Sequence, residues 1–404
     1  MGGALVVGVD LGLSGIRVAV MDEVGNTVAA SSRYPISTSS EFGTAQQDPS
    51  DWLVAMSKAS QEVAASIALN RIEAIGVSAF GPAPILVDAA LNPITPALLF
   101  SLDSRAEKQR ARVAGALGLS DYQLNHDHAI PKLLWWKETH PEIWSRSAWA
   151  LDAAGFIVSQ LTGHPTMDQI TAFDYSLEGF DSPIRVPAPT DPLAKVGGLT
   201  ANWSKCLGFP AGTPVLTGTY DAYADTAATG TMKAGDGCVI LGTTLIIGVV
   251  AAHIPADLAG LVSSTHLGEG SLVGGWTSSG CSALSWARRL IGVGQDFYDE
   301  LHRDAASLLP GDGGLIFLPY LAGERSPVHD PAARGLLMGL TADTRPAQIY
   351  RAVADGLALS IRDHQQRLAE IGIHASIWRA GGGGSRNDLL VQATSDALGE
   401  PVEV

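Results

Sequence analysis

Asp10 stands at the end of an apolar run, Val6 to Val9, and opens the segment Asp10-Leu11-Gly12-Leu13-Ser14-Gly15. A second apolar run, Ile16 to Met21, follows and closes at Asp22. Two short β-rich runs joined by a glycine-bearing turn predict a hairpin. Gly12 and Gly15 permit positive φ and let an anion approach backbone N–H groups closely. A carboxylate beside a phosphate makes chemical sense only with a divalent cation between them. The segment points to Mg-nucleotide phosphate binding, with an ordinary polar-tipped hairpin as the competing reading.

The pattern returns. Cys238 to Leu241 leads into Gly242-Thr243-Thr244, and Leu245 to Val250 leads out. Two such hairpins far apart predict two similar halves facing each other across a cleft. Near the end, Gly381-Gly382-Gly383-Gly384-Ser385-Arg386-Asn387 follows the apolar Ile377-Trp378 and precedes a helix-like run, Asp388 to Leu398. Four glycines at a strand-to-helix junction remove side chains that would block a flat ligand or its phosphates. Asp221 follows the apolar Pro214 to Thr217 and heads an alanine-rich run. It is either a strand-end carboxylate able to take a proton or a helix cap.

The elements that must position these groups alternate between strand and helix. Thr27 to Tyr34 reads as a third strand, Asp51 to Leu69 as a helix capped by Ser50, and Ile72 to Ala79 as a strand. Trp135 and Trp136 sit in an amphipathic helix, where at least one is expected in the core. Ser282 to Leu290 and Ile349 to Ile371 read as further helices. A chain of 404 residues exceeds one typical core and predicts two domains, α/β in class. Net charge is −15 with no basic cluster, which argues against nucleic-acid or anionic-membrane partners. The three cysteines, Cys206, Cys238 and Cys281, show no metal or disulfide spacing. With no signal-like start and no membrane-length apolar run, the expectation is a reducing, cytoplasmic setting.

The stretch Phe317-Leu318-Pro319-Tyr320-Leu321-Ala322-Gly323-Glu324-Arg325-Ser326-Pro327 carries a family resemblance. So do Asp330-Pro331, Arg334 to Leu340, and Arg351-Ala352-Val353-Ala354-Asp355-Gly356. Earlier matches are Gln47-Asp48-Pro49, Asp103-Ser104-Arg105-Ala106, Pro131 to Trp135, Leu161-Thr162-Gly163 and Gly212-Thr213-Pro214-Val215. The chain resembles the FGGY carbohydrate kinases of the actin and sugar-kinase superfamily. The resemblance implies two ribonuclease-H-like (actin-like ATPase) domains flanking a cleft. We expect them at residues 1–245 and 246–404, with a hinge near residue 245.

It implies ATP-dependent phosphorylation of a small sugar or polyol, a ketopentose such as xylulose or ribulose first, gluconate or glycerol next. A non-catalytic nucleotide- or sugar-binding relative is the competing class. Asp221 would be the catalytic base and Asp10 would bind Mg²⁺ through water. Gly12, Ser14 and Arg17 would line the phosphates, and Gly242 and Thr243 would hold their β/γ end. Gly280 would lie beneath the nucleotide, with Gly383, Gly384 and Asn387 on the adenosine. Asp103, Arg105, Phe80 and Gly81 would face the sugar, although an exposed helix-start ion pair is the plainer reading of the first two. Glu324-Arg325 would be a structural pair at the domain junction.

Two departures bear on activity. Leu13 stands where the family usually has threonine, removing a hydroxyl donor. Ser78-Ala79-Phe80-Gly81 replaces a more polar sugar-binding turn. The sequence also stops at Val404, before a further strand and helix that the resemblance implies, and a homodimer is one expected consequence.

Overall fold

A computed structural model describes residues 3–34, 36–41, 43–100, 102–120, 123–180, 185–292, 294 and 297–404. The chain forms two compact units, Met1–Ala224 and Asp225–Val404. Each is built around one mixed sheet.

In the first unit, β1 (Leu5–Gly12), β2 (Gly15–Asp22) and β3 (Thr27–Arg33) form an antiparallel meander. A short strand, β4 (Thr44–Gln47), leads into α1 (Pro49–Ala64). Then β5 (Ile72–Ala79) lies parallel to β1. After α2 (Ala129–Thr139) and α3 (Ala153–Thr162) come β6 (Lys195–Gly198), β7 (Pro214–Leu216) and β8 (Thr219–Tyr220). The sheet order is β6-β7-β5-β1-β2-β3, with β8 also on β5.

Alternation along β1 explains its two faces. Leu5, Val7, Val9 and Leu11 are buried, whereas Asp10 and Gly12 turn to the other side. The buried face meets Trp52, Met56, Ala59 and Val63, the inner stripe of α1. The cap of α1 is two residues earlier than the sequence suggests. Asp48, not Ser50, is the N-cap: its carboxylate accepts from the Ser50 amide, and Pro49 fills the first helical position.

The second unit repeats the plan. β9 (Asp236–Leu241) and β10 (Leu245–Ala251) form a hairpin, and β11 (Val262–Thr265) and β12 (Ser271–Trp276) extend it in the order β11-β12-β10-β9. Next to β9, on its other side, runs parallel β13 (Ile377–Gly381), followed by β14 (Val402–Glu403). The helices are α5 (Cys281–Leu290), the long α6 (Pro346–Glu370) and α7 (Asp388–Leu398). Tyr350, Val353, Leu357 and Ile361 of α6 bury their stripe against Val239, Leu241 and Ile247.

Leu245 pairs with Leu241 inside one hairpin, so a domain boundary or hinge at residue 245 would sever that ladder. The division instead falls within the helix α4 (Asp221–Ala228). Gly12 and Gly15 have no positive φ. Gly15 is required for space, because a Cβ there would collide with the Tyr34 ring and the Arg33 carbonyl.

Space also decides Gly274 in the middle of β12, where a Cβ would strike the Ile247 carbonyl and lie 2.5 Å from Gly248 Cα. Gly274→Ala is expected to cost at least about 2 kcal/mol, since backbone cannot yield as a side chain does. Gly76→Ala, with nothing within 4 Å of the added atom, should change stability by less than about 1 kcal/mol. Denaturant titration of both variants checks the contrast.

Candidate active site

A trans peptide points its carbonyl and its N–H in opposite directions. Holding a carbonyl therefore aims an amide. At the first hairpin tip the Leu13 carbonyl accepts from Gln47 Nε2 at 2.8 Å, and the Ser14 carbonyl from the Ile36 amide at 3.0 Å. Among the described residues the Ser14 amide donates no hydrogen bond, and it lies on the side opposite the held Leu13 carbonyl. Leu13 itself packs its side chain on the first unit's core, which is why an apolar residue fits there.

The second tip follows the same rule with other donors. The Gly242 carbonyl accepts from the Cys281 amide at 2.8 Å. The Thr243 carbonyl accepts from the Gly280 amide at 2.9 Å and from Ser282 Oγ at 2.7 Å. Thr277 closes the base, its Oγ1 accepting from the Leu245 amide. Among the described residues the Thr243 and Thr244 amides donate no hydrogen bond. Gly280 lies against this tip: a Cβ would come 2.6 Å from the Thr244 carbonyl carbon. Its missing side chain serves the docking of α5 on the hairpin.

Strand register collects the acidic groups of the first unit. Asp10 is level with Arg17 on β2 and with Ser78 on β5, and Ser78 is level with Thr219 on β8. Thr219 thus lies roughly two strand spacings or ~10 Å from Asp10, and Asp221 follows two positions later. Asp10 Oδ2 takes Arg17 Nη1 at 2.7 Å and Oδ1 takes Ser78 Oγ at 3.0 Å. Arg17 is more than half exposed, so its guanidinium is free to exchange this carboxylate for a phosphate. Asp221 opens α4, its Oδ1 accepting from the Ala222 amide at 2.7 Å.

Among the described residues no three His, Cys, Asp or Glu side chains gather as a metal cage. One half-exposed carboxylate beside a hydroxyl suits Mg²⁺ that arrives on phosphates and keeps its waters.

The remaining candidates land differently. Asp103 is buried, accepts from the Ala45 amide at 2.8 Å, and is paired with Arg105. Arg105 also reaches Gln46 Oε1 and lies over the Trp135 ring. The pair is not an exposed helix-start ion pair: it is buried and anchors β4. Phe80 is core, edge-on to Trp52. Gly81 leaves room for the Tyr220 ring. In the glycine-rich segment only Gly382 has positive φ. Gly384 must lack a Cβ, which would lie 2.7 Å from the Leu241 carbonyl, whereas Gly383 faces open space. Asn387 caps α7 through the Leu390 amide and donates to Tyr350. Glu324 is buried and binds the Ser278 and Arg325 amides, so it braces the Thr277–Gly280 loop within the second unit.

The model of the FGGY family of carbohydrate kinases matches twice, with its N-terminal domain over residues 5–176 and its C-terminal domain over 237–404. The chain belongs to this family. A xylulose kinase of Lactococcus lactis is 29% identical over 97% of this chain and 82% of its own length. A gluconokinase of Bacillus subtilis is 26% identical over 98% and 83%. The xylulose kinase from Rhodospirillum rubrum superposes with a TM-score of 0.86 at 25% identity, over 98% of this chain and 86% of that one. The glycerol kinase from Plasmodium falciparum with ADP shares the fold, with a TM-score of 0.84 at 18% identity, over 100% and 86%. The chain is thus an ATP-using carbohydrate kinase of the actin-like ATPase fold.

In this FGGY kinase a polar cluster that sequence reasoning missed lies beneath Tyr220, the neighbour of Asp221. Tyr220 donates to Asp174 Oδ2 at 3.1 Å, Thr219 to Asp168, and the Ala83 amide to Asp152 at 2.7 Å. Burial pushes Asp152 and Asp174 up to about 7 and raises Asp168. Lys132, fully buried and donating to the His126 carbonyl, is pushed down to about 8 by the same burial. Only the spacing of these residues along the chain, from 132 to 220, hid the cluster.

Asp174 faces Tyr220, Asp152, Asp127 and Lys132. With its folded value above the ordinary carboxylate value, its contribution is full below about pH 4 and is lost as pH rises to about 7. Asp174→Asn, which keeps an acceptor for Tyr220 and cannot ionise, should gain at least about 1 kcal/mol over wild type between pH 5 and 8. Melting curves across that range check this, and a pH-independent difference would contradict it.

Proposed function

We propose that this kinase phosphorylates a hydroxyl of a neutral ketopentose such as xylulose, with Asp221 as the general base. The observation that supports this most is the shared edge: register sets Asp10, Ser78 and Thr219 in one row, and Asp221 follows at the strand end. In this reading Asp221 takes the proton of the acceptor hydroxyl as the phosphoryl group leaves ATP. Asp10 would hold Mg²⁺ through water, and the ion would supply positive charge that offsets the phosphates. Gly12, Ser14 and Arg17 meet phosphate oxygens from the first unit. In the second unit, Gly242 and Thr243 are the phosphate-binding candidates, and Gly383, Gly384 and Asn387 border the adenosine.

The polar cluster favours a neutral acceptor over an aldonate such as gluconate. Asp152, Asp168 and Asp174 lie near Tyr220, and Lys132 beside them is fully buried. An aldonate carboxylate would add a further negative charge there without a free basic partner. The relatives' names support the same choice, with xylulose kinases at 25–29% identity.

Coupled ADP release with xylulose, ribulose, gluconate and glycerol tests the substrate. Xylulose or ribulose should give the highest kcat/KM, and a preference for gluconate would overturn the assignment. Asp221→Asn should lower kcat by at least ~100-fold while calorimetric affinities for sugar and nucleotide stay within about threefold, because the amide keeps the shape and loses the base. A helix cap alone predicts retained turnover, since Asn caps about as well as Asp.

A further inference from the structure

Two donors of different kinds hold the first hairpin tip. The Ser14 carbonyl is bound by a backbone amide, but the Leu13 carbonyl depends on the side chain of Gln47. Leu13 and Ser14 are the two central residues of the turn, and the peptide between them is the one that can flip between turn types. The flipped form would place Ser14 at positive φ, which costs a non-glycine residue only roughly 1–2 kcal/mol. Without a held carbonyl, little else keeps the Ser14 amide outward.

Gln47 is built for this task. It is 1% exposed, and every polar atom of its carboxamide is used. Nε2 donates to the Leu13 carbonyl at 2.8 Å and to Thr38 Oγ1 at 2.9 Å, while Oε1 accepts from Trp52 Nε1 at 2.8 Å. A reversed carboxamide would set oxygen against the Leu13 carbonyl and N–H against the indole N–H. Gln47 ends β4, the strand that Asp103 and Arg105 secure through Ala45 and Gln46. The chain of support runs from a buried ion pair, through β4, to a single peptide at the hairpin tip.

We propose that Gln47 is a positioning residue for phosphoryl transfer: it pins the Leu13–Ser14 peptide so that the Ser14 amide meets a phosphate oxygen of the nucleotide. This rests on the reading that the first tip holds phosphate. Gln47→Met keeps the shape and removes the donor, and Trp52→Phe is the control that disturbs the same site without touching the Leu13 bond. Gln47→Met should lower kcat at least about tenfold with sugar KM within about twofold, and Trp52→Phe should retain turnover at comparable loss of melting temperature.

Gln47→Glu adds a signature that plain destabilisation lacks. The protonated carboxyl can donate to the Leu13 carbonyl and the carboxylate cannot, so its kcat relative to wild type should fall as pH rises from 6 to 8.5, measured where both proteins stay folded. That series decides the matter if Gln47→Met does not fold. Turnover of Gln47→Met within twofold of wild type would overturn the proposal. So would equal losses in Gln47→Met and Trp52→Phe, or a flat pH ratio in Gln47→Glu. Wild-type protein that transfers no phosphate from ATP to any sugar would instead remove the underlying reading of the tip.

Discussion

The planarity of one peptide bond sets the terms for both hairpins of this kinase. A tip can offer an N–H outward only if the carbonyl of the same peptide is satisfied inward. The second unit meets that demand with backbone and hydroxyl donors, because the start of α5 abuts the tip and Gly280 leaves room for it. Among the described residues, the first unit has no helix there. It uses the Gln47 carboxamide and the Ile36 amide, both brought in by the segment before α1. Similar topology thus reaches the same electrostatic end by unlike local means.

The other constraint is the sheet edge. Parallel pairing of β1, β5 and β8 sets Asp10, Ser78 and Thr219 level, so polar residues on three strands become neighbours without any sequence proximity. Behind that edge, burial opposes charge. Asp152 and Asp174 are pushed up to about 7 while Lys132 is pushed down to about 8, each because low-dielectric surroundings disfavour its ionised form. Asp10, nearer to solvent, is instead paired with Arg17 and bonded to Ser78. The contrast between a wet carboxylate on the hairpin and drier ones below Tyr220 gives neighbouring acids different tasks.

Local pattern carried the fold a long way. Ile72–Ala79 and Asp388–Leu398 are strand and helix at the residues expected, because period and flanking turn residues agree there. The second hairpin and the strand-to-helix junction at the glycine-rich segment were equally plain. Failures arose where two local signals compete. Ser50 and Asp48 both suit a helix cap, and the choice went to Asp48 because Pro49 fits the first helical position. Gly12 and Gly15 permit positive φ, but neither uses it, and Gly15 answers to the Tyr34 ring and the Arg33 carbonyl.

By itself the sequence determined the class of fold, the two hairpins, the carboxylates Asp10 and Asp221, and the family that joins them. These are properties of short windows, readable from hydrophobic period and residue type. Tertiary structure alone decided what those residues touch. It made the Asp103–Arg105 pair a buried anchor, sent Phe80 into the core and turned Asn387 into a helix cap. It also set Gln47 against a carbonyl 34 positions away and gathered Lys132, Asp152, Asp174 and Tyr220 around one site. Hydrogen-bond partners and dielectric surroundings depend on distances across the folded chain, and no spacing along the sequence encodes them.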